Sequence, residues 1–208
     1  MKYYSQYGQD EFIDNYFNQK QKGIFLDIGA NDGIDFSNTY FLEKERNWQG
    51  ICFEPIKLMF EKLKINRKCE CINACVSSEE GDLDFCENTG YTTMLSGLIK
   101  TFDNHHRNRI QIENQKFGGT STIKKVQSVN INKVLEERKI IKIDYCSIDT
   151  EGSEIDIIQS IDFTKIDIKI MSIENDRFGE KLSKIMNNSG YILIKKLSGD
   201  DIYLKESV

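Results

Sequence analysis

The chain has 208 residues, 39% apolar and 29% charged, which suits one α/β domain burying roughly 70% of its unfolded surface and excludes a disordered chain. A net charge of -5 runs against a surface built to neutralise a phosphate backbone, so no nucleic-acid partner is expected. In the first thirty residues no apolar run exceeds Gly23-Ile24-Phe25-Leu26, and none of the six cysteines forms a C-x-x-C pair; neither a signal peptide nor a membrane span is expected, and the thiols are read as reduced in a cytoplasmic protein.

In chain order, an N-terminal helical segment over 1–20 carries an amphipathic stretch from Asp10 to Phe17. Strand-length apolar runs follow at Gly23 to Asp27, Gly50 to Glu54, Glu70 to Val76, Lys142 to Ile148, Asp167 to Ile173, Tyr191 to Lys196 and Asp201 to Leu204. Between them, Ser37 to Arg46, Ile56 to Asn66, Asn130 to Arg138, Ser153 to Ser160 and Arg177 to Asn188 carry helix-spaced apolar positions, with Asn130 placed as an N-cap. Such alternation predicts a parallel α/β sheet. Ser198-Gly199-Asp200 reads as a hairpin turn, which makes the last strand antiparallel. The exception is about 87–122, with few apolar periods and both histidines. A stretch of that length between regular elements is expected to be a functional lid or an insertion, or else a solvated excursion. Nothing else marks a boundary, so a single domain over 1–208 is expected.

The strongest motif is Phe25-Leu26-Asp27-Ile28-Gly29-Ala30-Asn31-Asp32-Gly33, a buried strand running into a glycine-bearing turn. Open α/β sheets bind ligands just beyond the carboxyl ends of their strands. Gly29 and Gly33 are spaced G-x-x-x-G, unlike the G-x-G-x-x-G of dinucleotide sites, so NAD is disfavoured. Glu54, ending the next strand, is placed to accept hydrogen bonds from two ribose hydroxyls.

These segments, with Ser5-Gln6-Tyr7-Gly8-Gln9-Asp10, Ser37-Asn38-Thr39, Glu54-Pro55 and Ser147-Ile148-Asp149-Thr150-Glu151-Gly152-Ser153-Glu154, resemble the FkbM family of S-adenosylmethionine-dependent methyltransferases from Ser5 to about Gly190. The resemblance implies the class I methyltransferase fold: a Rossmann-like, seven-stranded, mostly parallel sheet with an antiparallel last strand and helices on both faces. It implies S-adenosylmethionine as cofactor and S-adenosylhomocysteine as product. Asp27, Gly29, Asn31 and Asp32 are thereby assigned to the methionine part, and Glu54 with Pro55 to the ribose. Ser37 and Asn38 face the cofactor's carboxylate from a helix N-terminus or simply cap it. Ser77 contacts the adenine or belongs to an ordinary turn. Gln6 and Gln9 close over the cofactor or cap the first helix.

A hydroxyl acceptor is a poor nucleophile while protonated and needs a base or a metal. Asp149, after the fourth strand, and Glu174 with Asn175, after the fifth, offer hard oxygens suited to Mg²⁺ or Ca²⁺. Their layout is similar to catechol O-methyltransferase, although polar strand ends facing the cofactor would look the same. The second device is a histidine base: His106 stands downstream of Met94-Leu95-Ser96-Gly97-Leu98 at the offset the family resemblance implies, and otherwise is a surface histidine on a polar helix. Glu151 and Glu154 line an acceptor pocket or complement a helix start. Lys100, Arg107 and Arg109 recognise a phosphate or are solvated charges. Asp149-Thr150-Glu151-Gly152 lacks the Asn/Asp-Pro-Pro-aromatic turn of enzymes that methylate amino groups of bases. The expected activity is O-methylation of a sugar hydroxyl in a surface polysaccharide or glycoside, the acceptor being a small molecule or glycan. The alternatives are a macrolide-like metabolite as acceptor and a non-catalytic partner in glycan assembly.

Overall fold

The computed structural model describes residues 1–206. Strand β1 (Ile24–Ile28) is buried along nearly its whole length, because alternate side chains feed two apolar clusters: Phe25 packs with Phe41, Trp48 and Ile13, while Leu26 and Ile28 pack with Ile148, Ile157 and Ile173. It follows α1 (Gln9–Tyr16) and precedes α2 (Tyr40–Arg46), β2 (Gln49–Phe53), α3 (Lys57–Asn66), β3 (Glu70–Ile72), β4 (Cys75–Val76) and β5 (Gly81–Asn88). After a 3-10 turn at Gly90–Leu95 come β6 (Gly97–Leu98), a second at Ile99–Thr101, α4 (Asn104–Phe117), β7 (Ser121–Val129), α5 (Ile131–Glu137) and β8 (Lys142–Ile148). The chain continues with α6 (Glu154–Ser160), β9 (Asp167–Glu174), α7 (Glu180–Asn188), β10 (Tyr191–Leu197) and β11 (Asp200–Lys205).

The main sheet has seven strands in the order β3-β2-β1-β8-β9-β11-β10. Only β11, threaded between β9 and β10 and antiparallel to both, runs against the direction of the other six strands. The chain winds outward from β1 through β2 to β3, then crosses back to β8, so β1 and β8 are adjacent but far apart in sequence. Their carboxyl ends form the topological switch point where such sheets hold ligands. Register pairs Asp27 with Ser147 and Ser147 with Ser172, which lines polar side chains across three strands near that rim.

Two expectations change. The run Glu70 to Val76 is not one strand: it divides into β3 of the main sheet and β4 of a second sheet. At the break, Asn73 Nδ2 donates to the carbonyls of Glu54 and Pro55 at 2.8 and 3.1 Å. The stretch 87–122 is not the solvated excursion that stood as the alternative to a lid or insertion, since β4, β7, β5 and β6 form a second four-stranded sheet, and α4 packs Ile110 with Leu95, Phe102 and Cys86, and His106 beside Leu95 and Phe102. The long ribbon of β5 and β7 carries charge pairs on both faces, Lys125 with Asp84 on one and Lys124 with Glu87 on the other, so its apolar alternation is faint. No helix among the described residues is long and apolar enough to cross a membrane.

Candidate active site

The turn after β1 is built by close approach. Gly29 has φ +94°, and a Cβ there would lie 1.8 Å from the Asp149 carbonyl oxygen, so only glycine lets β1 and β8 meet at the switch point. Asn31, also left-handed at φ 50°, donates its N–H to Glu54 Oε2 at 2.9 Å. Glu54 Oε1 accepts from Ile56 N at 2.7 Å. Each carboxylate oxygen thus keeps a free lone pair while its place is fixed. Burial pushes the Glu54 carboxyl up to about 7 despite these two bonds.

Asp27 is buried and accepts from the Thr39 hydroxyl, with Arg67 Nη1 at 3.7 Å. Desolvation raises its carboxyl, and Arg67 and Thr39 pull it back. Asp32 instead folds the turn: its Oδ1 accepts from Ile34 and Asp35 N–H, both at 2.9 Å. Ser37 Oγ accepts from Thr39 and Tyr40 N–H at 3.3 and 3.1 Å, which is capping of α2. Asn38 Nδ2 donates to Ser147 Oγ at 2.9 Å, and its buried Oδ1 has no partner.

A cleft along this rim has two joined parts. One, about 720 Å³ including its open mouth, is mostly apolar, lined by Phe53, Ile56, Val76, Phe85 and Leu98 with Glu54 and Pro55 beside them. The other is polar, lined by Gln6, Gln9, Asp27, Ser37, Asn38, Asp149, Glu174 and Asp200. They meet at Gly29, Asn31, Met94, Asp149 and Glu151. A ligand with a flat apolar head, a hydroxylated middle and an ammonium-bearing tail matches that sequence of environments. S-adenosylmethionine has that form, and the unpaired Asn38 Oδ1 supplies an acceptor where the tail needs one.

Other expected cofactor residues divide. Gln6 is exposed at the rim, while Gln9 is buried and donates to Asp200 Oδ2 at 2.8 Å, bringing α1 to the cleft. Burial lifts Asp200 to about 6. Ser77 is set apart from the cleft lining: its hydroxyl donates to Asp156 at 2.8 Å and accepts from Lys100 Nζ at 2.9 Å. That hydroxyl is spent within the fold, which corrects the expected adenine contact.

Both expected devices at the acceptor end also change. Asp149, Glu151 and Glu174 each bring one oxygen within 4.8 Å of the others. Asn175 Nδ2 donates to Asp201 Oδ2 at 2.6 Å, and its buried Oδ1 has no partner. Arg177 Nη2 lies 3.2 Å from Glu151 Oε2 and 3.5 Å from Glu174 Oε2, so a guanidinium supplies the counter-charge that a divalent ion was expected to provide. The carboxylates that converge here are thus Asp149, Glu151 and Glu174, with Arg177 as the cation beside them. His106 is not a surface residue but 1% exposed. Its Nε2 sits 3.1 Å from Leu95 O and its Nδ1 2.9 Å from Arg177 Nη1. These partners assign the proton to Nε2 and the lone pair on Nδ1 to Arg177. Burial, then the Arg177 charge, lowers His106 to about 4. A neutral imidazole with both nitrogens engaged and no place in the cleft lining does not serve as the expected base.

Arg177 was hidden in the sequence as the apparent first residue of a helix. It lies instead in the turn between β9 and α7, aimed back at the acids. The signal available was an arginine closely following Glu174 and Asp176 at a strand end. The cations considered for a phosphate are occupied elsewhere: Lys100 with Glu79, Arg107 with the Ile99 carbonyl, Arg109 with Glu113.

The Methyltransferase FkbM domain family matches residues 27–193, and no curated protein matches the chain. Among solved structures, the METTL16 methyltransferase domain aligns with a TM-score of 0.53 at 11% identity, over 96% of this chain and 66% of that one. A precorrin-6y C5,15-methyltransferase from Geobacter metallireducens GS-15 gives 0.50 at 8%, over 95% and 87%. A methyltransferase FkbM from Methylobacillus flagellatus KT gives 0.51 at 10%, over 88% of this chain but 43% of that one, so the chain spans less than half the length of that protein. At such identities the likeness is one of fold, and that fold is the class I methyltransferase fold expected above.

Proposed function

This chain belongs to the FkbM methyltransferase family, and from that premise we propose that it transfers a methyl group from S-adenosylmethionine to a hydroxyl oxygen of a sugar, in a surface polysaccharide or related glycoside. Dependence on S-adenosylmethionine comes with the family. When bound, the cofactor supplies a methyl group already activated on a sulfonium. The rest falls to the chain's own groups.

Glu54 accepts from the ribose hydroxyls through the lone pairs that Asn31 and Ile56 leave free. The apolar half of the cleft takes the adenine, and Asp27 with Asn38 Oδ1 faces the ammonium of the tail. Gly29 keeps the turn close enough to Asp149 for both halves to share one wall.

One observation carries the choice of oxygen: three carboxylates converge where the two halves meet. A hydroxyl must lose its proton as it is methylated, and a carboxylate is a competent acceptor for it. A neutral polyol suits the acceptor end, since Asp35, Asp176 and Asp200 accept hydrogen bonds from hydroxyls but repel phosphate or carboxylate groups. Arg109 is the one cation of that lining, and it pairs with Glu113.

The test is transfer of a labelled methyl group from S-adenosylmethionine to neutral deoxysugar and heptose glycosides and their phosphorylated counterparts, with and without EDTA. The expected product is a base-stable methyl ether on a neutral glycoside, formed equally well in EDTA. Label on nitrogen, label only on the phosphorylated sugars, or no label on any sugar sinks the proposal.

A further inference from the structure

We propose that Glu151 is the general base that takes the proton of the acceptor hydroxyl, and that Arg177, held in place by His106, is the positioning residue that aims it. This rests on the reading of the chain as an O-methyltransferase. Three independent observations lead to it.

The first is location. Glu151 lines both halves of the cleft, so its side chain stands where donor and acceptor have to meet. The second is backbone strain. Glu151 has φ 58°, a left-handed conformation that costs a residue with a Cβ about 1–2 kcal/mol. The turn is held in that shape from beneath by Glu154, whose carboxylate accepts from Thr150 N at 2.7 Å and Gly152 N at 3.0 Å. Glycine at 151 would meet the same backbone requirement without strain; the carboxylate is what a glycine would lack.

The third is the support behind the carboxylate. Leu95 O accepts from His106 Nε2, His106 Nδ1 accepts from Arg177 Nη1, and Arg177 Nη2 donates to Glu151 Oε2. That chain fixes Oε2 and leaves Oε1 without a hydrogen bond among the described residues. The charges facing Glu151 are Asp149 from the turn after β8, Glu174 from β9, Glu154 from α6, Arg109 from α4 and Arg177 from the turn after β9. Burial and the acids raise its carboxyl well above the usual range, while the two arginines hold it back. A raised carboxylate is a stronger base, and an adjacent guanidinium keeps it available in the ionised form. Asp149 differs: its leading neighbours, Glu151, Asp200, Glu154 and Asp27, are all acids, and with burial they push its carboxyl up.

In the step itself, a lone pair of the acceptor oxygen forms the new C–O bond as the methyl carbon–sulfur bond breaks with its electron pair onto sulfur. The hydroxyl proton passes to Glu151 Oε1 and from there to solvent after release.

The test compares wild type with Glu151→Gln, which keeps size and can still accept from Arg177. The expected result is a fall in kcat on the order of 10²–10⁴-fold, with KM and the S-adenosylhomocysteine Kd from calorimetry both within about twofold, because an interaction made only in the transition state has been removed. Arg177→Met moves the acid limb of the pH profile upward, and Arg177→Lys restores part of the shift. A readout apart from turnover is a pH titration of protein labelled at the glutamate δ-carbon: Glu151, identified by its loss in Glu151→Gln, titrates above the ordinary glutamate range and moves higher in Arg177→Met. If wild type methylates a hydroxyl and Glu151→Gln does so at full rate, or if Glu151 stays protonated through pH 9, the base assignment is overturned while the O-methyltransferase reading stands. If wild type methylates no hydroxyl, both are overturned.

Discussion

With the ribose placed on Glu54 as proposed, cofactor affinity is expected to depend on pH. Its carboxyl sits at about 7 because burial outweighs the two N–H bonds from Asn31 and Ile56. The ribose hydroxyls donate, so they favour the carboxylate over the acid. Affinity for S-adenosylhomocysteine therefore rises with pH through the neutral range and levels off above it. If only the ionised form binds, linkage weakens the apparent Kd about twofold at pH 7 and about elevenfold at pH 6 relative to its high-pH limit. Glu54→Gln removes the charge and turns an amide N–H₂ toward one of the two backbone donors. The loss is about 3 kcal/mol, on the order of a hundredfold in Kd, and the dependence between pH 6 and 8 flattens. Asp200, at about 6, enters only at the acid edge, and comparison of the two proteins cancels it. Calorimetric titration at pH 6, 7 and 8 measures all of this. A wild-type Kd that does not change over that range, or a Glu54→Gln Kd within threefold of wild type at pH 8, would refute the placement of ribose at Glu54.

Gly29→Ala forces a Cβ to 1.8 Å from the Asp149 carbonyl at φ +94°; thermal melting should show a loss of more than about 2 kcal/mol, and a melting curve like wild type would contradict the close approach. Arg67→Met leaves both Asp27 and Glu43 without their cation, and removing one partner of a buried pair costs about 3–5 kcal/mol in urea denaturation, whereas a change under about 1 kcal/mol would contradict ionic pairing of Arg67 in the folded protein. His106 is lowered to about 4 from an ordinary 6.5. The unfolded chain therefore binds its proton first on acidification, so the stability it contributes is complete above pH 6.5 and lost as pH falls toward 4. Denaturation midpoints across that window should fall less in His106→Gln, and parallel curves would show that His106 is not held neutral.

The winding of the main sheet was legible because its signals are local. The apolar run into Asp27, the turn from Gly29 to Gly33 and the hairpin at Gly199 each lie within a few residues, and the structure keeps all three. The second sheet was not, because β7 is mostly exposed and the β5–β7 ribbon carries charges on both faces, so no apolar alternation marks it. Ser77 looked like a ligand residue from its place after a strand, yet its partner Asp156 is 79 positions away. His106 looked exposed because α4 is mostly polar; Leu95 and Phe102 pack beside it, and what engages its Nδ1 is Arg177, 71 positions on. Short-range pattern therefore placed Asp27, Gly29 and Glu54 along one rim, while the acid and base partnerships at its polar end depend on contacts between elements that no spacing encodes.

The most direct measurement is a structure of the protein with S-adenosylhomocysteine bound. The account predicts adenine among Phe53, Ile56 and Leu98, ribose hydroxyls on Glu54, the amino-acid tail toward Asp27 and Asn38, and the sulfur facing Glu151. A ligand seated elsewhere, or one lying in this cleft with its ribose away from Glu54 and its sulfur turned from Glu151, would contradict it.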